Sequence, residues 1–278
     1  PPPRSLAVTE THIRLELVKA LLAKGRVQVR ATVDARHYPG SYPYVTGVVP
    51  GTGDEEVLTL GHTSEQGAQD NATGVAGLLA IAQAAVLGPA PKRGLLFAAL
   101  TGEEDGLLGS QHLVAHPPAL APTLIADINM DGLNVFGRSP QVVQIGRGKS
   151  AAMDAVLDGL VNAQRRKVIP DPMPDKGAFY RSDQFSFARA GIPSLYLGRP
   201  VDLLDAKGKL LPGAGRAVVE RYTAELYHRP GDEFRDDWNF DGAVQDVQIL
   251  YQAALRVAAA ATRPGFNAGD EFSRKKKP

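Results

Sequence analysis

The sequence predicts an α/β protein, a three-layer sandwich with a central mixed, largely parallel β-sheet flanked by helices. Three observations carry this. Strand-like and helix-like apolar patterns alternate along most of the 278 residues. Gly94 to Leu100 is a short, continuous apolar run, as a strand covered on both faces requires, and Leu124 to Ile128 reads as another buried strand. Polar residues gather just beyond the C-terminal ends of such runs: His62, Glu103 with Glu104, and Asp131. In open α/β sheets that edge faces the ligand crevice.

The elements follow in chain order. Leu15, Val18, Leu21 and Leu22 recur at helical spacing in the segment 5–25, which ends near Gly25. Val27, Val29, Ala31 and Val33 alternate with polar residues, the period of a half-buried strand. Tyr44 to Val49 reads as a strand closed by the turn cluster Pro50-Gly51-Thr52-Gly53. Val57 to Leu60 is a short apolar strand running into Gly61-His62. Val75, Leu78, Leu79, Ala82, Ala85 and Val86 place a helix over Asn71 to Leu87, stopped by Pro89 and Pro91. The run Gly94 to Leu100 stops at Thr101-Gly102-Glu103-Glu104, and the strand Leu124 to Ile128 ends at Asn129-Met130-Asp131-Gly132. Val142 to Ile145 is a further strand, Ala151 to Gln164 a helix, Ile192 to Leu197 a strand, and Phe240 to Ala261 a closing helix. Residues 200–217, rich in Gly, Pro and charge, read as a loop excursion.

Composition narrows the chemistry. The chain has no cysteine, which excludes disulfides, thiolate zinc fingers, iron–sulfur clusters and a cysteine nucleophile. With six histidines, any metal site must draw on His, Asp and Glu, a donor set suited to a hard or borderline cation. The formal charge is +1, but Arg274 to Lys277 form one terminal run, and without those four the balance is 27 positive against 30 negative. That balance argues against nucleic acid as a partner, and the run reads as a solvated tail. No apolar run approaches the roughly 20 residues of a membrane span. The chain opens Pro1-Pro2-Pro3-Arg4 without Met, which reads as a processed or cropped end. There is no GxSxG, HExxH or GxGxxG. Gly148-Lys149-Ser150 lacks the upstream glycine of a phosphate loop, since Val143 stands there. Asn71-Ala72-Thr73 is a formal glycosylation sequon, but its place at a helix start favours capping.

The polar cluster is the remaining chemistry. Asp70 alone reads equally as a helix N-cap. Adjacent Glu103 and Glu104 at a buried strand end are harder to explain, because an unpaired buried charge costs several kcal/mol. Together, Asp70, Glu104 and Asp131 with His62 and His228 have a physical logic. Two zinc ions are nearly neutralised by three carboxylates and one bridging hydroxide, with two neutral imidazoles completing the shells. Glu103 is then left free as a general base.

These residues lie in seven blocks that resemble the zinc aminopeptidases of peptidase family M28. The blocks are Leu60-Gly61-His62, Gly67 to Gly74, Gly102 to Ser110, Ile128 to Asp131, Arg181-Ser182-Asp183-Gln184, Ala190-Gly191-Ile192-Pro193 and Tyr227 to Glu233. The resemblance implies a zinc-exopeptidase (phosphorylase/hydrolase-like) fold and two Zn2+ ions. It implies that His62 and Asp131 bind one ion, Glu104 and His228 the other, that Asp70 bridges them, and that Glu103 is catalytic. The implied reaction removes the N-terminal residue of a peptide whose free amine binds near the ions, and the implied location is exported, periplasmic or secreted. Tyr180, Arg181, Ser182 and Asp183 are candidates for substrate contact, although Ser182-Asp183 can equally cap the following helix. Two positions depart from the family pattern. Ser64 stands where an Asp usually orients the first histidine, so either Glu65 substitutes or the His62 ion is weakly held. Gln184 stands where His is common.

The resemblance also organises the chain: 1–40 as a remnant of an inserted or preceding domain, 41–265 as the catalytic domain, and 266–278 as a disordered basic tail. Two alternatives use the same scaffold, a glutaminyl-cyclase-like acyltransferase with a single zinc and a non-catalytic binding module. Retention of Glu103 and of all five ligands favours the peptidase. An oligomeric state cannot be read from the sequence.

Overall fold

A computed structural model describes residues 15–25, 32, 34, 39–63 and 67–273. They fall into two units divided between Ser41 and Tyr42. In the first, helix α1 (Leu15–Leu22) is the described part of the helix expected over 5–25. The alternating positions Val27, Val29, Ala31 and Val33 lie outside the described residues.

The second unit is built on a seven-stranded sheet of β1 (Val45–Val49), β2 (Glu56–His62), β3 (Gly94–Leu100), β4 (Leu124–Asn129), β5 (Gln141–Ile145), β6 (Lys167–Pro170) and β7 (Ser194–Gly198). Their order is β1-β3-β2-β4-β7-β5-β6. The centre, β3-β2-β4-β7, is parallel. The edges make the sheet mixed: β1 runs antiparallel to β3, and β5 antiparallel to β7. Six helices accompany it: α2 (Thr73–Leu87), α3 (Leu108–Ala115), α4 (Ala151–Ala163), α5 (Gln184–Arg189), α6 (Ala214–Glu225) and α7 (Asp241–Ala259).

The period of two along each strand assigns its faces. Val57, Leu95, Phe97 and Ile128 meet Leu78 and Ile81 of α2, Leu157 of α4 and Ile249 and Leu250 of α7. Leu58, Leu60, Leu96 and Leu100 point the other way, onto Leu113 of α3 and Phe187 of α5. This produces the three layers. It also explains the continuous apolar run of β3, and all seven residues of β2 are buried as well. Ala68–Leu87 is long and apolar enough by composition to cross a membrane, but Leu78, Ile81 and Ala85 are buried in this core.

The structure adds elements that the apolar pattern did not mark. Helix α6 begins inside the predicted excursion 200–217, which also holds the hairpin β8 (Leu203–Leu204) and β9 (Leu210–Leu211). Gly215 and Tyr222 are the buried residues of α6, so it carries no apolar stripe to detect. Residues 266–273, assigned from sequence to a disordered tail, are folded. Phe266 and Phe272 pack with Phe179, and Asn267 bonds Gly148 and Ala151. The basic run itself, 274–278, lies outside the described residues.

Candidate metal centre

Five chain segments converge at the C-terminal edge of the parallel strands. His62 is the last residue of β2. Glu103 and Glu104 follow β3 by three and four residues, in a turn where the amides of Gly106 and Leu107 donate to the Glu103 carbonyl. Asp131 follows β4, and His228 follows α6. Asp70 comes from the connection between β2 and α2, where the Asp70–Asn71 peptide is cis.

Asn71 locks two of these segments together. Its Nδ2 donates to the Met130 carbonyl at 2.9 Å, and its Oδ1 accepts from the amides of Gly74 and Gly132, both at 2.9 Å. Thr73 adds a second tie, donating to the Gln69 carbonyl and accepting from the Leu133 amide. Asp70 and Asp131 are thus held in register by main-chain bonds on either side of each. A Cβ at position 74 would lie 2.3 Å from Asn71 Oδ1 and 2.4 Å from the Met130 carbonyl, so only glycine fits this approach. The expected cap is present, but Asn71 supplies it; Asp70 faces elsewhere.

Asp70 directs its two oxygens at two different imidazoles. Oδ1 lies 3.4 Å from His62 Nε2, and Oδ2 lies 3.5 Å from His228 Nε2. His62 Nε2 is also 3.5 Å from Asp131 Oδ1, and His228 Nε2 is 2.7 Å from Glu104 Oε1. Two triads share Asp70: His62–Asp70–Asp131 and His228–Asp70–Glu104, each with its ligand atoms within 4.8 Å of one another. A third grouping, His62–Glu103–Glu104, brings Glu103 to the same place. His228 sits at φ 56° with its ring stacked on Tyr227, centroids 3.7 Å apart. His62 and Asp70 are buried, while His228 is 37 % exposed and forms the open side.

The electrostatics fit a divalent cation. Burial opposes the charge on Asp70, but His228, His62 and Arg199 outweigh it and hold its carboxyl below the ordinary range. Burial pushes Glu103 up to about 9, with Asp131, Asp183 and Glu104 adding to the effect and His62 opposing it. Burial and Asp70 also raise Glu104. Asp70, against burial and together with Glu104, raises His228. Carboxylates this close remain ionised together only with added positive charge between them, and mixed carboxylate–imidazole donors suit zinc.

This crowding predicts how metal-free stability depends on pH. An acid with a raised folded-state pKa keeps a proton that the unfolded chain has released, so stability falls as pH rises between the unfolded and folded values. The raised His228 loses its contribution in the same direction, and the lowered Asp70 acts only at more acidic pH. The melting temperature of the metal-free protein is therefore expected to fall between about pH 5 and about pH 9, by calorimetry. Zinc is expected to flatten the profile, whereas a rise across that window would contradict the arrangement.

The four candidates for substrate contact divide. Arg181 is exposed and close enough to Tyr227 to influence it electrostatically, and Asp183 is buried near Glu103. Ser182 is buried and accepts a hydrogen bond from Asn129 Nδ2 at 2.7 Å. The Tyr180 hydroxyl donates to Glu271 at 2.6 Å, which ties it to the C-terminal segment. Neither Ser182 nor Asp183 caps α5 through its side chain. Gln184 is fully buried, accepting from Asn129 and donating to the Phe179 carbonyl, so it braces β4 against the turn before α5. Ser64 and Glu65 lie outside the described residues.

Arg199 was missed. It follows β7 by one residue, stacks over Tyr222 at 4.6 Å and acts electrostatically on Asp70 and Asp131. The signal was available, since a cation just past a buried strand lies on the same sheet edge that singled out His62 and Asp131.

Acids and imidazoles gathered at the strand ends of such a sheet have the make-up of a metallohydrolase. A sequence model described as "Peptidase family M28" matches residues 45–252, and the chain belongs to that family. No curated protein matches the sequence. Solved structures share the fold. The LapA aminopeptidase of Legionella pneumophila aligns with TM-score 0.54 and 18% identity over 79% of this chain and 59% of its own. BSAP, a zinc aminopeptidase from Bacillus subtilis, aligns with TM-score 0.55 and 19% identity over 78% and 50%. A peptidase M28 precursor from Shewanella amazonensis aligns with TM-score 0.53 and 20% identity over 79% and 45%. This chain therefore spans about half the length of the proteins it resembles.

Proposed function

We propose that this chain is a zinc aminopeptidase with two metal sites. The observation that carries the reading is Asp70, whose two carboxylate oxygens address two separate histidine–carboxylate pairs. Family membership and the zinc aminopeptidase named among its structural neighbours support the choice of metal and reaction. His62, Asp131 and Asp70 would hold one ion, and His228, Glu104 and Asp70 the other. When bound, paired zinc polarises a peptide carbonyl and makes water acidic enough to ionise near neutral pH.

The protein's own groups supply the rest. Glu103, buried beside both pairs, takes the proton from the attacking water and delivers it to the leaving amine. Tyr227 stacks on His228 and fixes the plane of its ring. Arg199 offsets part of the carboxylate charge at Asp70 and Asp131. A free peptide N-terminus bound beside this centre would restrict cleavage to the first residue.

A panel of aminoacyl anilides, dipeptides, their N-acetylated forms and N-terminal Gln peptides tests the reading. The free-amine substrates are expected to release their first residue. The acetylated forms are expected to be inert, and a chelator should stop turnover that zinc then restores. Internal cleavage or chelator-insensitive turnover contradicts the reading. Cyclisation of N-terminal Gln without hydrolysis would assign an acyltransferase instead.

A further inference from the structure

We infer that Asp232 is the residue that positions Asp70, acting through the main chain and without touching a metal. Asp232 lies four residues after His228 and is 5 % exposed. Its Oδ1 accepts from the Gln69 amide and its Oδ2 from the Asp70 amide, both at 3.1 Å. Its carbonyl accepts from the Ala68 amide at 2.7 Å. Three consecutive amides of the segment bearing Asp70 thus close on one residue. Gly67, at φ 58°, makes the approach possible, because a Cβ there would lie 2.0 Å from Asp232 Oδ2. The Tyr222 hydroxyl donates to the same Oδ2 at 2.8 Å, and Arg199 stacks on the Tyr222 ring.

The consequence is geometric. The Asp70 side chain spans His62 and His228, and these are carried by β2 and by the chain beyond α6. Asp232 belongs to the same stretch as His228, so it clamps the Asp70 backbone to the segment that supplies the second imidazole. Asn71 clamps it to the segment that supplies Asp131. Asp70 is therefore held from both sides, once for each half of the centre. A carboxylate accepting two amides and a phenol also sits at the charge-assisted, strong end of the hydrogen-bond range.

The inference rests on Asp70 serving both zinc ions, and the experiment separates the two claims. Zinc affinity is measured by competition with a chromophoric chelator for the unsubstituted chain, Asp232→Asn and Tyr222→Phe. Metal-free melting temperatures are recorded alongside. Asp232→Asn keeps the shape but turns one acceptor into a donor facing an amide. It is expected to weaken zinc binding by about 10–100-fold, as removal of ligand-orienting partners typically does. Tyr222→Phe is expected to weaken it by a smaller factor and remains informative if Asp232→Asn does not fold. A merely structural role lowers the metal-free melting temperature and leaves the affinity of the folded chain unchanged. If the unsubstituted chain binds no zinc, the reading of the centre fails. If it binds zinc and the folded variants bind equally tightly, only the positioning role fails.

Discussion

Glu103→Gln is expected to leave the metal in place and to lower kcat for aminoacyl-amide hydrolysis by about 10²–10⁴-fold, the usual contribution of a positioned proton carrier. Folding should be little disturbed. Burial already favours the neutral carboxyl in the metal-free chain, and a glutamine reproduces that neutral, planar shape. The amide can neither accept a proton from water nor pass one to an amine. Glu103→Ala should lose the reaction equally and also leave a void in a buried turn. Zinc content distinguishes this from ligand loss, because Glu103 is expected to contribute no essential metal bond. Activity within a few-fold of the unsubstituted chain would show that the proton carrier lies elsewhere, with buried Asp183, which acts electrostatically on Glu103, a candidate.

Asp70→Asn is expected to have the broader effect, costing both ions. Asn keeps the side-chain shape and the main-chain bonds to Asp232, but it lacks the charge that the two imidazoles and Arg199 stabilise. His228→Ala, by contrast, removes one ligand from one pair and should leave the His62–Asp131 pair able to bind. The pair of variants reads out sharing. Zinc should fall well below one per chain for Asp70→Asn and to about one for His228→Ala, by elemental analysis after dialysis. The stabilisation that zinc confers, about 2.7 kcal/mol at a hundred times its Kd, should disappear with Asp70→Asn. Two ions retained by Asp70→Asn would mean that its oxygens are not shared.

The strand-end acids were legible because their burial conflicts with their charge. A Glu-Glu pair after an apolar run needs an explanation, and position along the sheet edge supplied one. The sheet was legible because β2, β3 and β4 are buried on both faces and are mostly apolar, β3 without a break. What escaped depends on partners distant in sequence. Asn71 looked like a cap or a sequon, yet two of its three bonds go to Met130 and Gly132. Ser182 looked like a substrate contact, yet its partner is Asn129 on β4. Residues 266–273 looked like tail because charge surrounds Phe266 and Phe272, and only the fold brings those rings to Phe179. Helix α6 carries Tyr222 in a largely exposed helix, so no period announced it.

One carboxylate is proposed to join the two metal sites, and the zinc content of the unsubstituted protein tests this most directly. After dialysis against metal-free buffer and reloading, elemental analysis is expected to find close to two zinc ions per chain, with hydrolysis rising as the second is taken up. One ion or none at saturating zinc would contradict it.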